Sequence, residues 1–225
     1  MLQPPAVPPK QSRKGLWIGL SAGAVVLVLI CCGALVWFLD PFSNDDPNNA
    51  GNNTNPSSSG KPPTGGPKKA TFKVTAPDKL GTRAKLTDET HTKLATDTEA
   101  AIKSDSRITN AVVGYYGTAD PKKDKVYLAA ATTSTAMKKA EFEATFNGMA
   151  KEAGLADMTG VTDVEPGPLG GYAKCGNLKI ESIPTAACAW SDEGTFVTVM
   201  WYNKTLNNQI KAELVTIRGA VETKS

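Results

Sequence analysis

The stretch GGYAKCGNLKIESIPTAACAWSD, Gly170 to Asp192, decides how this chain is built. Two strand-like runs, Tyr172 to Ile180 and Thr185 to Trp190, flank a turn near Glu181 and Ser182, and Cys175 and Cys188 stand at equal distances from that turn. Antiparallel pairing therefore sets the two cysteines opposite each other, at a separation a disulfide can span. A facing cysteine pair can also bind metal or act as a redox dithiol, so the compartment has to be read first.

The compartment follows from the other end of the chain. Leu16 to Leu39, LWIGLSAGAVVLVLICCGALVWFL, carries no charge and is long enough as a helix to cross about 30 Å of hydrocarbon. Trp17 and Trp37 fall where the two interfacial belts should be. The run is too long for the apolar region of a cleaved signal peptide and has no small-x-small cleavage site after it. Lys10, Arg13 and Lys14 precede it without an acid, whereas Asp40, Asp45 and Asp46 follow it. The positive-inside rule then predicts a single-pass plasma-membrane protein with a cytoplasmic N-terminus and everything beyond Asp40 outside.

Composition divides the chain in the same places. Residues 1–15, rich in proline, read as a disordered cytoplasmic tail; residues 40–69, dominated by Asn, Ser, Pro and Gly, read as a disordered linker. Residues 70–225 have the apolar content of a folded domain. The formal surplus of +3 equals the three basic residues of the tail, which leaves the outer part neutral. That balance excludes nucleic acid, whose binding needs a basic surface.

Within the outer domain, the periodicities predict a short strand at 71–75, a polar helix over about 88–104 capped by Thr87, and a hairpin of 111–117 with 125–132. An amphipathic helix should follow over about 137–153, with Phe142, Phe146, Met149 and Ala153 on one face and Gly154 ending it. Three strands, 172–180, 185–190 and 195–202, lead to a closing helix over about 206–222 with the stripe Leu206, Ile210, Leu214, Ile217 and Val221. Short turns imply antiparallel pairing and the helices must cover the sheet, so the class is α+β. The two halves also resemble each other faintly as ββα units.

With the domain outside, the oxidising environment makes Cys175–Cys188 a disulfide. A zinc site would need further ligands, and the only histidine, His91, reads as a solvated residue of the polar helix. A redox pair would be spaced C-x-x-C. Asp157, Asp163 and Glu165 lack the ligand alternation of a calcium loop and read as a solvated segment. No catalytic residue, cofactor-binding residue or metal ligand is predicted. Tyr115, Tyr116, Trp190, Trp201 and Tyr202 fall on strands, where aromatics are core residues unless they reach a sheet rim and line a glycan or peptide groove. Gly15, Gly19 and Gly23 recur at four-residue spacing, the pattern of a transmembrane dimer face.

The combination of GPLGG at Gly167 to Gly171, a cysteine four residues later, CAWSD ending at Asp192, and IRGAV around Gly219 resembles a broad group of actinobacterial single-pass membrane-anchored extracytoplasmic proteins of unknown function. The resemblance implies an envelope location and a disulfide-bonded domain, and supplies no catalytic residue. The sequence thus predicts a membrane-anchored binding protein whose partners are the lipid bilayer, an envelope protein or cell-wall glycan, and a second copy of itself. The alternatives are a sensor or accessory subunit signalling through the membrane helix, and an envelope-modifying enzyme.

Overall fold

The computed structural model describes residues 71–225. The tail, membrane helix and linker expected over residues 1–69, with Gly15, Gly19 and Gly23, lie outside the described residues. Among the described residues no helix is long and apolar enough to cross a membrane.

The chain runs β1 (Phe72–Val74), β2 (Lys79–Leu80), β3 (Arg83–Ala84), α1 (Glu89–Lys103), β4 (Ile108–Gly117), β5 (Lys125–Thr133), α2 (Lys139–Glu152), β6 (Thr159–Asp163), β7 (Tyr172–Ile180), β8 (Ile183–Ser191), β9 (Thr195–Tyr202), α3 (Asn208–Val221) and β10 (Glu222–Lys224). Six strands form one antiparallel sheet in the order β4-β5-β9-β8-β7-β6. The class is α+β, as the short turns imply.

The central strands β5, β9 and β8 are apolar on both faces because both are covered. Val126, Leu128 and Ala130 of β5 join Val197, Val199 and Trp201 of β9 on one face, where the α3 stripe Ile210, Leu214, Ile217 and Val221 packs. Tyr127 and Ala131 of β5 join Met200 and Tyr202 of β9 on the other, beneath Ile102 of α1. On that second face α2 places Phe142, Phe146 and Met149 over Ala189. The two ββα units, β4–β5–α2 and β8–β9–α3, therefore carry their helices on opposite faces. A duplication related across the β5–β9 pair would put both on the same face.

The sheet edges are managed differently. On β4 the Val113 amide donates to Glu99 Oε1 of α1 at 2.8 Å, and the Tyr115 carbonyl accepts from the Leu86 amide at 2.7 Å. On the opposite side β6 is short and irregular, with a register shift between Thr159 and Thr162 against β7. No apolar alternation marks β6, which explains why its residues read as a loop; Asp157, Asp163 and Glu165 are exposed, as expected for a solvated segment.

Other differences from the sequence reading are local. The cap of α1 is Asp88 rather than Thr87: its carboxylate accepts from the His91 amide at 3.2 Å. In α2, Ala150 is buried while Ala153, expected on that face, is half-buried at the helix end. Gly154 follows at φ +67°, the left-handed conformation that stops a helix. Leu206 precedes α3, whose cap is Asn207. The last residues form β10, which pairs with β1 through Phe72↔Lys224 and Val74↔Glu222 and ties the two ends of the domain together.

The β7–β8 hairpin turns at Glu181 and Ser182, with φ +49° and +70°. Left-handed backbone at both central positions is what a two-residue hairpin matched to strand twist requires. That turn fixes the register Cys175↔Cys188, and the two are joined in a disulfide with a Cα–Cα distance of 4.0 Å. Both cysteines are buried beneath α3.

Cys175→Ser or Cys188→Ser should lower the stability of the domain by about 2–5 kcal/mol, the usual cost of losing a native disulfide. Denaturant unfolding under non-reducing conditions checks this. A stability unchanged by either substitution would show that the pairing of β7 with β8 does not depend on the bridge.

Candidate functional site

The last turn of α3 buries a charge. Arg218 lies one position after Ile217 and four after Leu214, inside the angular sector of the apolar stripe, and is 2% exposed. A guanidinium removed from water is tolerated only when its donors are met. Here Nη1 donates to the carbonyl oxygens of Pro166 at 2.9 Å and Gly170 at 2.6 Å. Nη2 donates to Asp192 Oδ2 at 2.8 Å and Glu222 Oε1 at 3.3 Å, and Nε donates to Glu222 Oε2 at 3.2 Å. One side chain thus joins the 166–170 loop, the β8–β9 turn and the start of β10.

The acceptors are themselves held. Asp192 Oδ1 accepts from the Gly194 and Thr195 amides at 3.0 Å each. Glu222 Oε2 accepts from Trp190 Nε1 at 2.7 Å, and the Trp190 ring lies 5.9 Å from Arg218 Cζ. The Thr195 hydroxyl sits between the carboxylates, 3.0 Å from Asp192 Oδ1 and 3.3 Å from Glu222 Oε2. Two carboxylates share one guanidinium, so the second of them to ionise does so against the charge of the first. Burial, and then the neighbouring Asp192 carboxylate, push Glu222 up to about 7 against the pull of Arg218. Burial also pushes Asp192 upward, but hydrogen bonds from Glu222, Gly194 and Thr195 and the Arg218 charge outweigh it and leave Asp192 low.

The loop pinned by Arg218 forms one wall of a cleft of about 450 Å³, which Met137, Tyr172, Asp192, Glu193 and Lys224 also line. Gly171 adopts φ +88°, and a Cβ there would overlap the Ser191 carbonyl oxygen, so only glycine lets the loop lie against β8. Tyr172 is the exposed aromatic of this wall, with its ring stacked on Phe142 at a centroid distance of 6.2 Å. Lys224 pairs with Glu193 at 3.8 Å and lies over the Phe72 ring.

The aromatics expected as candidates for a rim do not form one. Tyr115 (2% exposed), Tyr116 (0%), Trp190 (0%), Trp201 (1%) and Tyr202 (6%) are all core, because the sheet is covered on both faces. His91 is likewise buried rather than solvated, with Nδ1 2.8 Å from Asp88 Oδ2, Nε2 3.0 Å from Lys125 Nζ, and its ring edge-on to Tyr115. None of these residues lines the cleft. Among the described residues no group of three or more His, Cys, Asp or Glu is placed to hold a metal ion.

The sequence reading missed Arg218, Glu222, Lys224 and Tyr172 as site residues. The available signal was a charged residue within an apolar helical stripe with an acid four positions on. No family model, curated protein or solved structure matches the chain.

A group whose folded pKa is raised contributes stability that is lost as pH rises toward that value. The Glu222 contribution should therefore decline between about pH 4.3, the unfolded value, and about pH 7, by about 3 kcal/mol or less. Glu222→Gln, which mimics the protonated acid, should flatten the difference in unfolding free energy between pH 5 and pH 8. Denaturant midpoints of both proteins across that range check this; parallel pH profiles would show that Glu222 is ionised throughout.

Proposed function

We propose that the chain is a single-pass membrane protein whose extracytoplasmic domain binds an envelope component through the cleft beside Tyr172, without catalysis. The observation that carries this reading is the Cys175–Cys188 disulfide downstream of a charge-free segment with basic residues on its other side. A disulfide of this kind persists on the oxidising side of a membrane, and the charge asymmetry assigns residues beyond Asp40 to that side. The resemblance in architecture to actinobacterial envelope proteins supports the same assignment. The linker, about thirty residues, would let the domain stand roughly 30 Å from the bilayer as a coil.

The absence of a catalytic assignment rests on how the reactive groups are used. Asp192 and Glu222 are committed to Arg218, and His91 to Asp88 and Lys125. A cleft with a half-exposed aromatic and mixed rim charges suits recognition. The spacing of Gly15, Gly19 and Gly23 favours one further reading, a sensor or accessory subunit that passes occupancy of the cleft through a paired membrane helix.

Protease added to intact spheroplasts should remove the domain of residues 70–225 and leave a membrane-embedded fragment, as immunoblotting against each end of the chain would show. Survival of the domain while a known outer-facing control is digested would overturn the orientation and the proposal with it.

A further inference from the structure

We infer that the cleft takes a neutral, hydroxyl-rich glycan with one sugar ring laid against Tyr172, an inference that rests on the binding reading above. Three observations carry it. Tyr172 is 36% exposed, and Phe142, itself 1% exposed, stacks against its ring and holds it in place. The wall therefore presents an apolar plate with a polar tip, which matches a pyranose: a C–H face that docks on the electron-rich face of an aromatic ring, and hydroxyls at its edge.

The second observation is the loop beside the ring. Nothing lies within 4 Å of the position a Cβ would take on Gly170, so open space lies against the backbone there. A ring can approach that backbone closely, as a side chain would otherwise prevent. Arg218 fixes the loop from behind through the Pro166 and Gly170 carbonyls, which leaves the site formed before a ligand arrives.

The third is charge. Of the ionic groups lining it, Lys224 and Glu193 are paired with each other at 3.8 Å, and the Asp192 carboxylate is paired with Arg218. Each ionic group lining the cleft thus has an opposite charge beside it, and the cleft offers donors and acceptors to a neutral polar ligand. Its volume, about 450 Å³, lies in the range of small-ligand sites.

The test uses the full chain in a detergent without a sugar headgroup, with chitotetraose as probe and saturation-transfer NMR as readout. Binding is expected, with transfer strongest to the protons of one face of a sugar ring. Tyr172→Ala should weaken it at least about tenfold, as loss of an aromatic stacking partner does, while Tyr172→Trp keeps it within about threefold. The thermal midpoint of each variant establishes that the domain remains folded. Chitotetraose binding that Tyr172→Ala leaves unchanged overturns the inference, as does failure to bind chitotetraose by a folded protein. Two parallel arms separate this from failure of the binding reading. Binding of the peptide L-Ala-D-Glu-Lys-D-Ala with no binding of chitotetraose rejects the glycan and retains a binding cleft. A photocrosslinker at Met137 that captures nothing in intact cells, together with no binding of either probe, rejects both.

Discussion

The burial of one guanidinium organises the half of the domain that carries the cleft. Arg218 could not lie at 2% exposure beside Ile217 unless acceptors converged on it. They come from three separate parts of the chain: the Pro166 and Gly170 carbonyls before β7, Asp192 after β8, and Glu222 at the start of β10. The segments GPLGG, CAWSD and IRGAV, distant in the sequence, meet at this side chain. A buried ion pair is weak ground for net stability, because desolvation offsets much of the attraction. What it supplies here is position, since five hydrogen bonds from one planar group fix where the loop, the turn and β10 lie relative to α3.

The disulfide acts on the same face by a different route. Cys175 and Cys188 hold β7 to β8 directly beneath α3, two residues from Trp190, whose indole donates to Glu222. The bridge reinforces the register that the turn gives the strands leading into and out of the Arg218 cluster: Tyr172 opposite Ser191 and Ala173 opposite Trp190. Tyr172 projects to the other side of the sheet from Ala173, toward Phe142 of α2, while the loop before it reaches back to α3. The cleft therefore depends on elements from both faces, and its exposed ring is steadied by the packing of α2.

Much of the fold was legible because it follows from periodicity. The apolar stripe of α3 and the strands around β5 and β9 announce themselves, and the hairpin symmetry about Glu181 and Ser182 places the cysteines face to face. What was hidden follows from long-range pairing. β10 has a charged, polar sequence, Glu222 to Lys224, and is a strand only because β1 lies beside it. His91 looked solvated among threonines, but its position in α1 turns it onto Tyr115. The five strand aromatics could not be assigned to rim or core without knowing that helices cover both faces. Arg218 resembled a solvated basic residue in a last helical turn, where cations are expected anyway, and its remote acceptors carry no local mark. Tyr172, an ordinary residue at a strand start, lines the cleft because of the glycine loop before it and the packing of Phe142 against its ring.

The central claim is that Arg218 holds the 166–171 loop, and amide hydrogen exchange in Arg218→Lys tests it most directly, because a lysine keeps the charge but cannot reach all the acceptors at once. The account predicts that the Gly170 amide, which donates to the Gly167 carbonyl at 3.1 Å, exchanges at least about tenfold faster in the variant, while the amides of β5 and β9 at the sheet centre keep their protection. Unchanged exchange in the loop, or the same acceleration throughout the sheet, would contradict it.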